Sequence, residues 1–303
     1  MPLFSVILPA HNAAQTLPQT VASLQAQTCT DWEAIVVEDQ STDTTWQVAC
    51  DLARPEPRLR VMRNTGKGPS AARNLGAAEA RGEILAFCDA DDLWTSTKLD
   101  GTAAALQGAD AVFGRIGFFD GTPTHVRTHS TVPAAPVTIP VLMGENPVCT
   151  LSNLSLRKQD FDALEGFRTD MVHNEDLEFL IRLVGRGLIL QGVDSLHVLY
   201  RLSPLGLSAD LDAMQAGRAT ALETARRFGF RPDPRSEAVH LRYLARRALR
   251  LDLPGTALRL ALRGLARAPR AFLSPLRRGA LVSGGALVAP ILPRALRRSL
   301  FCH

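Results

Sequence analysis

Four short apolar runs, each closed by a cluster of polar residues, constrain this chain most. They are Phe4–Leu8, Ala34–Val37, Leu59–Met62 and Ile84–Cys88. Ser5 and Arg60 are their only polar residues, and none keeps a regular apolar–polar alternation, which suits strands buried on both faces. Helix-like stretches separate them. Leu17, Val21 and Leu24 keep helical spacing, Thr42–Ala53 reads as a helix capped by Ser41 or Thr42, and Ser70–Ala80 is Ala-rich. Strands alternating with helices predict an α/β fold, with a mostly parallel central sheet and helices on both faces. Ligands of such sheets gather at the carboxyl ends of the strands. Those ends here are Pro9-Ala10-His11-Asn12, Glu38-Asp39-Gln40-Ser41-Thr42-Asp43, Asn64–Ser70 and Asp89-Ala90-Asp91-Asp92. All four clusters are expected along one edge of the sheet.

The last cluster is the most chemically pointed. Asp89, Asp91 and Asp92 fall within four positions. Like charges so close repel, and a divalent cation carrying a diphosphate would relieve them. Asp also favours turns and helix N-caps, which is the plainer reading. Further on, Glu175 and Asp176 precede Leu177, Leu180, Ile181 and Val184, whose i, i+3, i+4, i+7 spacing marks a buried helix face. Acids at a helix start also complement its dipole, so position alone does not give them a role. Residues 110–170 are less regular. Ala111–Phe113 reads as a strand and Thr122–Pro140 as a loop rich in Pro and Thr.

Other nucleotide folds fit poorly. Gly66-Lys67-Gly68-Pro69-Ser70-Ala71 has the GxGxxA outline but follows the third strand, whereas the first turn has no glycine. There is no GxxxxGK[ST] and no GxSxG. The five cysteines (Cys29, Cys50, Cys88, Cys149, Cys302) are scattered and suggest a reducing compartment without structural zinc. No signal peptide and no run of about 20 apolar residues is evident.

Charge divides the 303 residues unevenly. From Arg235 onward 14 Arg face only Glu237 and Asp252, a balance of +12, so the first 234 residues carry −8 within a total of +4. Near Leu211 the sequence turns to Ala, Leu and Arg at helical spacing with Pro and Gly breaks. The expected division is a catalytic domain over 1–210 and a helical, Arg-rich region over 211–303. Residues 235–303 would meet an anionic membrane surface, or form a subdomain whose arginines are merely solvated. Few aromatics occur there, so nucleic acid is not expected.

Taken together, Ser5–Asn12, Val37–Asp43, Ala72-Arg73-Asn74-Leu75-Gly76 and Phe87–Asp92 resemble the inverting family 2 glycosyltransferases of GT-A fold, a Rossmann-like sheet. Glu165–Arg168 followed by Asn174–Arg182 looks like that family's acceptor-side block, and the resemblance covers roughly residues 3–205. It implies a nucleotide-sugar donor, UDP-linked in the first instance, whose base is held by Pro9, His11, Asn12 and Asp39, with Ala10 and Glu38 also among the residues binding the nucleotide sugar. Arg73, Asp89 and Ala90 would lie near the ribose and diphosphate. Asp91, Asp89 and Asp92 would hold Mn²⁺ or Mg²⁺. Asp176, with Glu175 as second choice, would deprotonate the acceptor hydroxyl.

The resemblance further implies work on a bacterial exopolysaccharide, lipopolysaccharide or lipid-linked glycan, in the cytoplasm and peripherally at the inner face of the membrane. There are departures. The family has Asp where Glu38 stands, Gly where Gln40 stands, and a His after the Tyr-Arg of Tyr200-Arg201-Leu202-Ser203. His197, between Leu196 and Val198, reads as structural. The competing readings are a nucleotidyltransferase on a related sheet, which Pro9–Asn12 argues against for want of glycine, and a non-catalytic nucleotide- or membrane-binding scaffold.

Overall fold

The structure is a computed structural model, and it describes residues 1–202 and 210–301. Ser203 and Cys302 lie outside the described residues. The chain divides into two compact units, one of Met1–Val137 with Pro147–Ser203, the other of Thr138–Asn146 with Pro204–His303. The segment Thr138–Asn146 thus groups with the C-terminal unit rather than with its sequence neighbours.

The first unit is built on one sheet. In chain order its strands are β1 (Phe4–Ala10), β2 (Trp32–Glu38), β3 (Leu59–Arg63), β4 (Ile84–Phe87), β5 (Leu93–Trp94), β6 (Ala111–Phe119), β7 (Val126–His129), β8 (Ser155–Arg157) and β9 (Leu190–Arg201). Their order is β3-β2-β1-β4-β8-β6-β9-β5, with β7 on β6. The four predicted strands run parallel to one another. Beyond β4 the sheet is mixed, because β8 pairs antiparallel with both β4 and β6. The region expected to loop over 122–140 contains β7, a strand whose mostly exposed Val126-Arg127-Thr128-His129 carries no apolar signal.

Helices cover both faces: α1 (Leu17–Gln25), α2 (Thr45–Ala53), α3 (Pro69–Ala78) and α4 (Lys98–Ala105), with α5 (Ile139–Gly144) in the second unit and α6 (Lys158–Ala163) and α7 (Glu175–Gly185) back in the first. Strand periodicity decides which core each residue joins. Val6, Leu8, Val36 and Ala86 pack with Leu17, Val21, Leu24 and Leu99. On the other face, a Cβ at Gly76 would lie 2.6 Å from Ile7 Cγ2, so glycine lets α3 settle on β1. The N-cap of α2 is Thr44, and no side chain caps it, rather than Ser41 or Thr42. The hydroxyls of Ser41 and Thr42 instead bond to Asn12.

Pro9 sits inside a central strand, where a missing N–H is usually costly. Here β4 stops pairing at Phe87, opposite Ile7, so Pro9 lies beyond its reach.

The second unit continues with α8 (Leu211–Arg227), α9 (Pro234–Arg250), α10 (Pro254–Arg267), α11 (Pro269–Leu273), α12 (Leu276–Val288) and α13 (Arg294–Phe301). Leu244, Ala248, Leu260, Phe272, Val282 and Ala286 form its core. Glu145 lies beside Arg242, Arg246 and Arg278 at 3.2–3.5 Å. No helix among the described residues is long and apolar enough to cross a membrane.

Candidate active site

The ends of β1, β2 and β3 are hydrogen-bonded to one another. Asp39 Oδ1 accepts from Asn64 Nδ2 at 2.7 Å, and Oδ2 from the Gly68 N–H at 2.9 Å. The Asp39 carbonyl lies 2.7 Å from His11 Nδ1. Asn12 Oδ1 accepts from the Thr42 N–H at 2.9 Å, and the Asn12 N–H donates to Ser41 Oγ. Glu38 is buried and accepts from the Ser41 N–H. Pro9 and Ala10 close β1 opposite Val37 and Glu38.

Gln40 occupies the left-handed region (φ 56°), where glycine is the easy residue. Its Nε2 donates to the Gly66 carbonyl at 2.9 Å, which ties this turn to the glycine loop. The departure at Gln40 therefore keeps the turn and adds an anchor.

The acidic run follows β4. Asp89 is held on three sides. Its N–H donates to Ser152 Oγ at 2.9 Å, its Oδ2 accepts from the Thr150 hydroxyl at 3.1 Å, and its Oδ1 receives Arg73 at 2.6 Å. The Ala90 carbonyl accepts from the Thr20 hydroxyl. Asp91 is partly exposed, and burial, reinforced by the Asp89 carboxylate, pushes it up to about 6. Asp92 is only 1% exposed. Its Oδ1 accepts from the Arg201 N–H, whereas its Oδ2 has no hydrogen-bond partner. Burial, then Asp91 and Asp89, raise its pKa well above the usual carboxylate range.

Arg73 joins this edge to α7. It is buried, and its two terminal nitrogens reach Asp89 Oδ1 at 2.6 Å and Glu175 Oε1 at 3.2 Å. Burial alone would favour losing its proton, but Asp89, Glu175 and Asp176 outweigh it and hold the guanidinium charged. The start of α7 is fixed from below. Phe87, Phe161, Phe167 and Phe179 form one aromatic cluster with ring centroids 4.6–5.6 Å apart. Asn74, next to Arg73, donates to the Phe167 carbonyl and accepts from its N–H. Gly166 (φ 65°) permits that clamp, since a Cβ there would lie 2.6 Å from Asn74 Oδ1. Glu178 and Arg182 pair on α7, and Arg182 donates to the Gly166 carbonyl.

Glu175 and Asp176 therefore lie beside the acids that follow β4. Burial first, and Asp176 second, push Glu175 up to about 7, although Arg73 pulls the other way. A carboxyl whose folded pKa exceeds its unfolded value of about 4.5 keeps its proton longer in the folded state. Stability then falls as pH rises from about 4.5 to about 7. Subtracting the melting profile of Glu175→Gln from that of the parent should show this slope, and parallel profiles across the window would contradict it.

Residues outside the predicted set complete the site. Thr150 and Ser152 hold Asp89. Arg201 Nε donates to the Asp91 carbonyl at 3.1 Å and its terminal nitrogen to Gln19. The only sequence signal for these was Thr150, Ser152 and Asn153 clustered around Leu151 ahead of β8, and Arg201 itself beside the missing histidine. His197 is buried, with neither ring nitrogen hydrogen-bonded, and burial lowers it to about 3, so it is neutral.

Among the described residues, no group of three or more His, Cys, Asp or Glu side chains is arranged to hold a metal ion. Asp89, Asp91 and Asp92 do not converge as a three-carboxylate site. The donor set still suits Mg²⁺ or Mn²⁺, because such ions on diphosphates take one or two carboxylates, with phosphate oxygens and water filling the rest. Asp91 fits best, being partly exposed and costly to ionise without a cation.

The family model for glycosyl transferase family 2 matches residues 5–165, more than half of the chain. The chain belongs to that family. TuaG of Bacillus subtilis (strain 168), provisionally named a teichuronic acid biosynthesis glycosyltransferase, is 33% identical over 134 residues, 43% of this chain and 53% of TuaG. WfgD of Escherichia coli, named as a UDP-Glc:α-D-GlcNAc-diphosphoundecaprenol β-1,3-glucosyltransferase, is 34% identical over 99 residues, 32% of this chain and 38% of WfgD. The chain thus spans about half or less of the length of these curated relatives. The mannosyltransferase PcManGT of Pyrobaculum calidifontis, solved with GDP-Man and Mn²⁺, superposes with TM-score 0.60 at 21% identity, covering 96% of this chain and 86% of that one. The fold of this family 2 member is GT-A, as its motifs led one to expect.

Proposed function

We infer that the protein moves a sugar from a nucleotide-sugar donor to a hydroxyl acceptor with inversion. The observation that carries this reading is Arg73, which contacts Asp89 at the end of β4 and Glu175 at the start of α7. One buried guanidinium thereby touches both an acid that this reading assigns to the donor and one that it assigns to the acceptor side. Pro9, Ala10, His11, Asn12, Glu38 and Asp39 would line the base subsite. Asp89, Ala90 and Arg73 would meet the ribose and diphosphate. Asp91 first, with Asp89 and Asp92 beside it, would hold Mn²⁺ or Mg²⁺. A cation bound there would offset the charge that builds on the departing diphosphate.

Asp176 takes the acceptor proton in this reading, and Glu175, braced by Arg73, is the second candidate. A base on α7 with the leaving group at the β4 end accounts for attack from the opposite face. A UDP donor and a lipid-linked acceptor are favoured by the name of WfgD, and a bacterial envelope polysaccharide by that of TuaG. The working location is the cytoplasmic face of the membrane.

A thermal-shift series with UDP-glucose, UDP-N-acetylglucosamine and GDP-mannose, with and without Mn²⁺, tests the donor, because a ligand bound only to the folded state raises its melting temperature. In the same series Asp91→Ala should lose the Mn²⁺-dependent part of the shift. It should also slow nucleoside diphosphate release at least about a hundredfold. Unchanged turnover in that variant would remove Asp91 from the metal site, and silence with all three donors would remove the nucleotide-sugar reading.

A further inference from the structure

The helix α12 is apolar on two opposite faces. Val282, Gly285 and Ala286 point into the core of the second unit. Leu276, Leu281, Leu287 and Val288 share the other side, and Ile291 in the following turn continues it. These side chains are far from buried: Leu276 is 72%, Leu281 66%, Leu287 57% and Ile291 81% exposed. With Ala280 and Gly284 also exposed, the stripe is continuous along the helix and holds one charge, Arg277 at its first turn. Stripes of this kind on a soluble surface mark an interaction site.

Charge says what covers it. From Pro254 to Phe301 there is no acidic residue, and Arg270 and Arg277 stand exposed before and on the stripe, while Arg294 and Arg298 after it are exposed beside Asp252. A second copy of this chain would set arginine against arginine. An anionic lipid surface complements both the apolar stripe and its arginine flanks. Length fixes the orientation. Thirteen residues make a helix about 20 Å long, short of the roughly 30 Å hydrocarbon core, so α12 would lie in the plane of the interface.

We propose that the exposed face of α12, extended by Ile291, is an in-plane docking surface for anionic phospholipid. It deepens the lipid-linked-acceptor reading given above and rests on it for its biological sense. Vesicle binding needs no donor, however, so the two can fail separately.

The test is co-sedimentation of the full chain with vesicles of phosphatidylcholine alone or mixed with phosphatidylglycerol. Binding is expected to the mixed vesicles only, and Leu281→Ser with Ile291→Ser should lower it at least about tenfold. Arg270→Gln with Arg277→Gln should lower it about tenfold as well. The positions are exposed, so circular dichroism should be unchanged. Independently, Ile291→Trp should shift its fluorescence to the blue on adding mixed vesicles. Absence of binding, equal binding by the double serine variant, or sedimentation without a blue shift would each overturn the proposal. So would a dimer that the serine variant disperses, which would assign the stripe to a second copy.

Discussion

Asp176→Asn is expected to reduce sugar transfer by about 10²–10⁴-fold while the donor-induced thermal shift stays at its parental value. Asn keeps the shape of the side chain at the start of α7 but cannot accept a proton. The neighbourhood makes this position sensitive. Asp176 bears on both Arg73 and Glu175, and its charge helps to keep the first ionised and the second protonated. Single-turnover transfer with saturating donor reads the chemical step directly. If Glu175→Gln abolishes transfer and Asp176→Asn does not, the base is Glu175, and Arg73 serves to orient it.

Arg73→Met should be the most destabilising change at the site. The methionine stem replaces much of the arginine's apolar length, so the loss is chiefly electrostatic. Removing one member of a buried ion network leaves the remaining charges uncompensated, at a cost of about 3–5 kcal/mol. Asp89 is the charge left behind, and Glu175, raised to about 7, loses the guanidinium that draws it toward ionisation. Urea denaturation should place the midpoint correspondingly lower. The double variant Arg73→Met/Glu175→Gln should recover part of that loss, because the acidic group that lost its guanidinium partner is gone. It should not recover transfer. Additive destabilisation in the double variant would mean that Arg73 and Glu175 do not interact in solution.

The sequence told most about what is local. Continuous apolar runs such as Ile84–Phe87 have no stable place except between two layers, so the parallel core of β1–β4 was legible before any coordinate. The helix at Glu175–Gly185 was legible for the same kind of reason, since its apolar spacing repeats with the helical turn. What escaped was the antiparallel part. The strand β7 is mostly exposed and carries no apolar pattern, and β8 has only three residues. The α2 cap was misplaced because Ser41 and Thr42 are held by Asn12, some 30 residues away in the chain.

The same division holds at the site. That Pro9, Asp39 and Asp91 gather along one edge was legible in the chain, because the carboxyl ends of parallel strands share an edge, whereas Asp176, at the start of α7, is brought there only by folding. Which acids meet which partner was not legible. Tertiary structure gave Asp89 to Arg73, Thr150 and Ser152 and left Asp91 partly exposed. It also buried Asp92 with one oxygen unmatched. Three carboxylates that look equivalent in a line of sequence become a braced one, a reachable one and a buried one. The reason is physical: the energy of a charge depends on its distance from solvent and from other charges, and only folding sets those distances.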